Sequence, residues 1–174
     1  LPFYLSNYQV TFLNSLFEAI SGITGTGFSI FKNIKYLDPT LILWRSSSQW
    51  VGGLYFLIFL ILLFSNKSFN FKMTQLTYTG ESNFKSVENI KNTIIKLFLF
   101  YVILSFIFLI LLKISGIRLF NSLNLSMTLV SGGGFLPTNT LTNIITNNLQ
   151  KLILVILFIL LILNFYFIFN IFNK

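Results

Sequence analysis

The sequence contains no cysteine and no histidine. The first absence excludes a disulfide framework, a thiolate metal cluster and a thiol nucleophile. The second removes the commonest general base and transition-metal ligand. Acidic residues number only four, too few for paired-carboxylate chemistry, so enzymatic activity and an organic cofactor are not expected. Charged residues make up 9% of the 174 positions, where a soluble domain carries about 25%. That fraction cannot cover a water-facing surface. What is present is apolar: 55% of residues are hydrophobic, and 22 are Phe. This is the composition of a chain whose partner is membrane lipid.

The net charge of +8 arises from 12 Lys and Arg against the four acids. A basic chain invites a nucleic-acid reading. Here the lysines are scattered through loops rather than striped along one face, and no nucleic-acid partner is expected. The chain opens at Leu1, partway into an apolar stretch and without a cleavable signal pattern. It reads as part of a longer polypeptide.

Three apolar segments approach the ~20 residues needed to span a hydrocarbon core. They are Ile94–Leu112, interrupted by Lys96, Leu152–Phe169, containing Asn164, and the mixed segment Thr40–Phe64. The last carries Trp44, Arg45, three serines and Gln49 in its first half, a polar half that must face protein or water. Between the spans lie Thr11–Ile30 and Arg118–Thr140, too short to cross and return as two helices, each containing a glycine cluster. They have the pattern of a re-entrant segment: a short helix, then irregular backbone. Loop lysines at 67, 72, 85, 91 and 96 put the 65–96 stretch in the cytoplasm and open both glycine clusters outward.

A shift of 107 positions superposes the two re-entrant segments without gaps. Asn14-Ser15-Leu16 falls on Asn121-Ser122-Leu123, Gly25 on Gly132, Gly27 on Gly134 and Phe28 on Phe135. Six identities in the 17 positions Phe12–Phe28 indicate an internal repeat. The expected organisation is a first repeat over 1–65 (truncated leading helix, re-entrant loop, spanning helix), a cytoplasmic linker over 66–90, and a second repeat over 91–174 (spanning helix, re-entrant loop, spanning helix). The fold class is an all-α membrane protein built of tandem helix–pore loop–helix units.

The clusters read Thr24-Gly25-Thr26-Gly27-Phe28 and Ser131-Gly132-Gly133-Gly134-Phe135. Glycine reaches backbone angles closed to other residues, so successive carbonyls can turn to one side. At membrane depth, free carbonyls are tolerated where they line a cavity or coordinate an ion. Neutral oxygens replace the water shell of a monovalent cation, and no Asp or Glu is present to hold a divalent one. The ten residues of the two clusters are therefore candidate selectivity-filter positions, with potassium expected at Thr24, Gly25, Gly27, Ser131, Gly132 and Gly134. The bland alternative is that the glycines are turns or helix-packing contacts.

Glu18 and Arg45 are the acid and the base inside the first repeat's membrane segments, and a buried charge needs a partner. They are expected to pair; alternatively Arg45 lies near the outer interface and reaches water. Trp44, Trp50, Tyr4, Tyr8 and Tyr36 read as interfacial anchors. Asp38-Pro39 reads as a helix start, and Pro137-Thr138 as its counterpart after the second cluster. Asn164 is expected to bond to a neighbouring helix, the alternative being that it faces the pore.

The run Leu16-Phe17-Glu18-Ala19-Ile20-Ser21-Gly22-Ile23-Thr24-Gly25-Thr26-Gly27 resembles the first pore loop of the Trk/Ktr/HKT potassium transporter superfamily, in particular its TrkH-like subunits. So do Leu43-Trp44-Arg45-Ser46 and Gln49-Trp50-Val51-Gly52-Gly53 in the following helix. Ser131-Gly132-Gly133-Gly134-Phe135 is similar to the family's next filter, although the usual Thr-Gly-Gly-Phe-Ser is altered. The resemblance implies a potassium-channel-like fold of four repeats around a pseudo-fourfold pore, of which this chain would supply two. It implies potassium uptake across the plasma membrane, with glycine at the positions of Gly27 and Gly134 going with potassium preference. It further implies the remaining two repeats of the parent chain, a homodimer and a cytoplasmic nucleotide-binding subunit of the TrkA or KtrA kind as partners. Two rivals stand beside this expectation: a sodium-permeable or non-selective cation transporter, and a non-transporting half-transporter with a structural role.

Overall fold

The computed structural model describes residues 2–6, 8–65 and 87–162. Most of the linker expected at 66–90 lies outside them, as do Asn164 and the end of the span expected at Leu152–Phe169. The described residues form five α-helices and no strand. Helix α1 covers Phe12–Ile23, α2 Pro39–Ser65, α3 Val87–Ile114, α4 Leu119–Val130 and α5 Asn148–Ile162. Single 3-10 turns stand at Ile34–Tyr36 and Leu141–Asn143.

Helix lengths follow from local signals. The Thr11 hydroxyl caps α1 by accepting from the Asn14 N–H at 3.4 Å. Pro39 takes the first position of α2, where its missing N–H costs nothing, and the Asp38 carbonyl accepts from Leu41 and Ile42. Gly116, at φ +90°, ends α3. The N–H groups of Gly116 and Ile117 return to the carbonyls of Lys113 and Leu112, a Schellman stop. The Gln150 side chain starts α5, its Oε1 accepting from Thr146 and Asn147 while its Nε2 donates to the Ser115 carbonyl. That single side chain ties the start of α5 to the end of α3.

At 27 and 28 residues, α2 and α3 extend about 40 Å, more than the ~30 Å hydrocarbon core. Both contain a stretch long and apolar enough to cross a membrane, Pro39–Leu63 and Lys91–Ile114. At 12 residues each, α1 and α4 are too short to do so.

Helix α2 packs on α1, α3 and α4, and α4 packs in turn on α3 and α5. The main apolar core lies among α3, α4 and α5, where Tyr101, Phe108, Leu112, Leu125 and Leu157 are enclosed. Helix α1 is built the other way round. Its buried residues are Ser15, Glu18, Ser21 and Gly22, while Phe12, Leu13, Leu16, Phe17, Ile20 and Ile23 point outward. A helix with its polar face inward suits an apolar exterior, not water.

The offset of 107 seen in the sequence recurs in the backbone. Helices α1 and α4 have matching bounds at that shift, and so do the two 3-10 turns. The match ends there, because α5 begins at Asn148 and not two residues earlier.

Two expectations are corrected. Trp50 is not an interfacial anchor: it is half-buried, its indole Nε1 donates to Ser105 Oγ at 2.8 Å, and its ring packs 5.3 Å from that of Tyr101. It sits mid-helix, where an aromatic with an N–H joins α2 to α3 instead of marking an interface. Nor does Pro137-Thr138 start a helix. The chain bends there, and α5 begins only after the second 3-10 turn.

Candidate functional site

Both short helices end in the same way. Thr24 and Ser131 retain helical angles, and the glycine after each turns left-handed, Gly25 and Gly132 both at φ +69°. The Gly25 N–H returns to Gly22 and the Gly132 N–H to Leu129. In α4 the stop is complete, since the Gly133 N–H also reaches the Thr128 carbonyl at 2.8 Å. In α1 the corresponding acceptor, the Ser21 carbonyl, is reached one residue later, by Gly27 at 3.4 Å. The Thr24 and Thr26 hydroxyls close the gap, 2.7 Å apart. Gly25 and Gly132 are thus helix-stop glycines with open space around them.

The glycines that follow do a different job. Gly27, at φ +78°, faces Gly134 backbone to backbone: a Cβ on Gly27 would lie 2.6 Å from the Gly134 Cα. The two clusters therefore meet at Gly27 and Gly134, with the Thr26 carbonyl 3.8 Å from where a Cβ on Gly134 would stand. Among the described residues, no hydrogen bond ends on the carbonyls of Thr24, Gly25, Thr26 and Gly27, nor on those of Ser131, Gly132, Gly133 and Gly134. Eight oxygens are left for water or for a cation. At the ends of the clusters the backbone is tied down. The Phe28 carbonyl accepts from Ser21 Oγ at 2.6 Å, and the Phe135 N–H donates to Gln49 Oε1 at 3.1 Å.

Helix α2 is the post against which both turns are set. A Cβ on Gly52 would overlap the Ile23 carbonyl of α1, and one on Gly53 would lie 2.8 Å from the Ser131 Cβ at the end of α4. The adjacent glycines let the C-terminal ends of α1 and α4 close onto neighbouring points of one helix. Those ends carry the negative poles of the helix dipoles.

The structure brings Glu18 and Arg45 together. Arg45 Nε donates to Glu18 Oε1 at 2.8 Å, and the side chains are 1% and 0% exposed. The carboxylate also accepts from Ser29 Oγ and from the Ile30 N–H, at 3.0 and 2.9 Å. It thereby draws the segment leaving the first turn back against α1. At the far ends of the two loops, Asn139 accepts from the Ile34 N–H and donates to Asn33 Oδ1. Among the described residues no group of three or more His, Cys, Asp or Glu side chains is assembled.

Sequence reasoning placed Gln49 in a polar half-helix but gave it no partner, and it read Gly52 and Gly53 only through a resemblance. Their places against Phe135, Ile23 and Ser131 are contacts through space, and no periodicity encodes them. A glycine pair facing a polar side chain one turn back was the signal available.

The family model described as a cation transport protein, TrkH, matches residues 1–173. An uncharacterised cation transporter of Methanocaldococcus jannaschii is 31% identical over 144 residues, which are 80% of this chain and 29% of the relative. The Trk system potassium uptake protein TrkG of Escherichia coli is 25% identical over 150 residues, 85% of this chain and 31% of that protein. The corresponding protein TrkI of Halomonas elongata is 43% identical over a shorter stretch of 54 residues, 31% of this chain and 11% of that protein. The chain spans less than a third of the length of these relatives.

Proposed function

This chain belongs to the TrkH family of cation transport proteins, and from that premise we propose that it supplies two of the pore loops of a potassium uptake pathway in the plasma membrane. The observation that carries the proposal is the pair of turns meeting at Gly27 and Gly134, with eight carbonyls that no described residue occupies. A potassium ion sheds its water only where other oxygens replace it, and neutral carbonyls do so without holding the ion too tightly to leave. Thr24, Gly25, Gly27, Ser131, Gly132 and Gly134 would supply those oxygens. The ion then moves down its electrochemical gradient, with no covalent chemistry.

On this reading residues 1–65 and 91–174 are two repeats joined by a cytoplasmic linker over 66–90. The ring is completed by two further repeats of the parent chain. The transporter works as a homodimer with a cytoplasmic nucleotide-binding subunit. Two long apolar helices and the inverted face of α1 support a membrane location.

Expression of the intact transporter in a bacterium lacking its own potassium uptake tests the proposal. Growth on limiting potassium and uptake of rubidium tracer are expected. Membrane-inserted protein that restores neither would refute it, and equal potassium and sodium fluxes would move the assignment to a non-selective cation pathway.

A further inference from the structure

Two polar side chains of α2, Arg45 and Gln49, lie one turn apart and are 1% and 0% exposed. Neutralising Glu18 accounts for only part of what Arg45 does. Its Nε makes that bond, whereas Nη1 and Nη2 are buried with no hydrogen-bond partner among the described residues. Aromatic faces cover the guanidinium instead. Its central carbon stands 4.1 Å from the ring centroid of Phe135 and 5.9 Å from that of Phe31. A desolvated cation is stabilised by the negative face of a ring, and a planar guanidinium can offer its edge to a carboxylate and its face to a ring at once.

Phe135 is gripped a second time. Gln49 Oε1 accepts its N–H, and the Gln49 amide lies so close to Gly133 that a Cβ there would come within 2.9 Å of Nε2. Phe135 directly follows Gly134, the residue in contact with Gly27. Its equivalent in the first turn, Phe28, is 69% exposed: Ser21 Oγ holds its carbonyl, but among the described residues no cation lies over its ring.

We propose that Arg45 and Gln49 are positioning residues for ion selectivity: they hold the second glycine turn in register with the first through the ring face and the N–H of Phe135. The inference rests on the transport reading above. Any rotation about the Phe135 backbone swings the carbonyls of Gly133 and Gly134 relative to those of Gly27. With Arg45 also fixed to Glu18, one side chain sets the spacing of both turns. Selectivity then depends on the electron density of a buried ring that need not touch the ion.

The test is the ratio of potassium to sodium permeability, taken from reversal potentials of the intact transporter in planar bilayers. Phe135→Leu should lower the ratio about thirtyfold while rubidium still passes, the scale of one lost desolvated cation–π contact. Arg45→Lys should lower it too, although the charge opposite Glu18 is kept. Phenylalanines of increasing fluorination at position 135 keep the shape and weaken the ring face stepwise, and the ratio should fall in the same order. They decide the matter even if Phe135→Leu does not fold. An unchanged ratio across the fluorinated series would overturn this inference alone. A wild-type transporter that passes no potassium would overturn the transport reading, and this inference with it.

Discussion

Gly27→Ser is expected to reduce selective potassium uptake at least about tenfold, and Gly134→Ser to reduce it much less. The two positions fall on one another in the repeat, but their surroundings differ. A side chain at 27 must adopt φ +78° and would bring its Cβ within 2.6 Å of the Gly134 Cα and 2.8 Å of its nitrogen. Left-handed backbone costs an L-residue about 1–2 kcal/mol and overpacking typically 1–3 kcal/mol more. Backbone atoms cannot rotate aside, so the turns must separate. Gly134 has no positive φ, and the nearest atom to a Cβ there is 3.4 Å away, which is ordinary contact. Gly116→Ala is the control. With φ +90°, a nearest neighbour 3.9 Å away and a place outside both clusters, it should lower thermal stability by about 1–2 kcal/mol yet preserve selectivity. Tracer uptake with potassium and sodium competition, beside thermal unfolding in detergent, measures all three. Greater harm from Gly134→Ser than from Gly27→Ser would contradict the contact between the turns.

Glu18→Ala is expected to leave little folded protein. Removing the carboxylate strands the buried Arg45, a loss of about 3–5 kcal/mol. Ser29, which is exposed, and Ile30, which is half-buried, lose their acceptor as well, at a smaller cost because water can reach them. The loss at Arg45 alone is a large share of the 5–15 kcal/mol that holds a typical domain together. Glu18→Gln, which keeps an acceptor oxygen but not the charge, should fall between. Reversing both charges, Glu18→Arg with Arg45→Glu, should restore only part of the stability, because arginine at 18 offers no acceptor to Ser29 and Ile30. Size-exclusion profiles and unfolding temperatures in detergent report each step. A Glu18→Ala variant as stable as wild type would show that the pair does not hold α1 in place.

Much of the frame can be read along the chain because it is local. The start at Pro39 depends on residues a few positions apart, as do the cap at Thr11 and the stops at Gly25 and Gly132 that the structure adds, while the shift of 107 needs only a comparison of the chain with itself. Glu18 and Arg45 could be matched by elimination, since a charge in an apolar segment seeks its opposite. The glycines of the clusters looked alike in the sequence, whereas in the structure they divide: Gly25 and Gly132 end helices, and Gly27 and Gly134 touch. That division depends on where α2 places the two turns. Trp50 was misread for the same reason, since its partners Ser105 and Tyr101 lie on another helix. Pro137 was misread because a proline after a glycine cluster marks a bend as readily as a helix start.

The ion pair has one further consequence. A single elementary charge carried across the bilayer exchanges about 2.3 kcal/mol with each 100 mV of transmembrane potential. Glu18 and Arg45 carry opposite charges and are bonded 2.8 Å apart, so on the proposed transport reading a transmembrane field pulls on them in opposite directions and does almost no net work on the frame they join. On that reading voltage acts on the ion and leaves this part of the scaffold electrically silent.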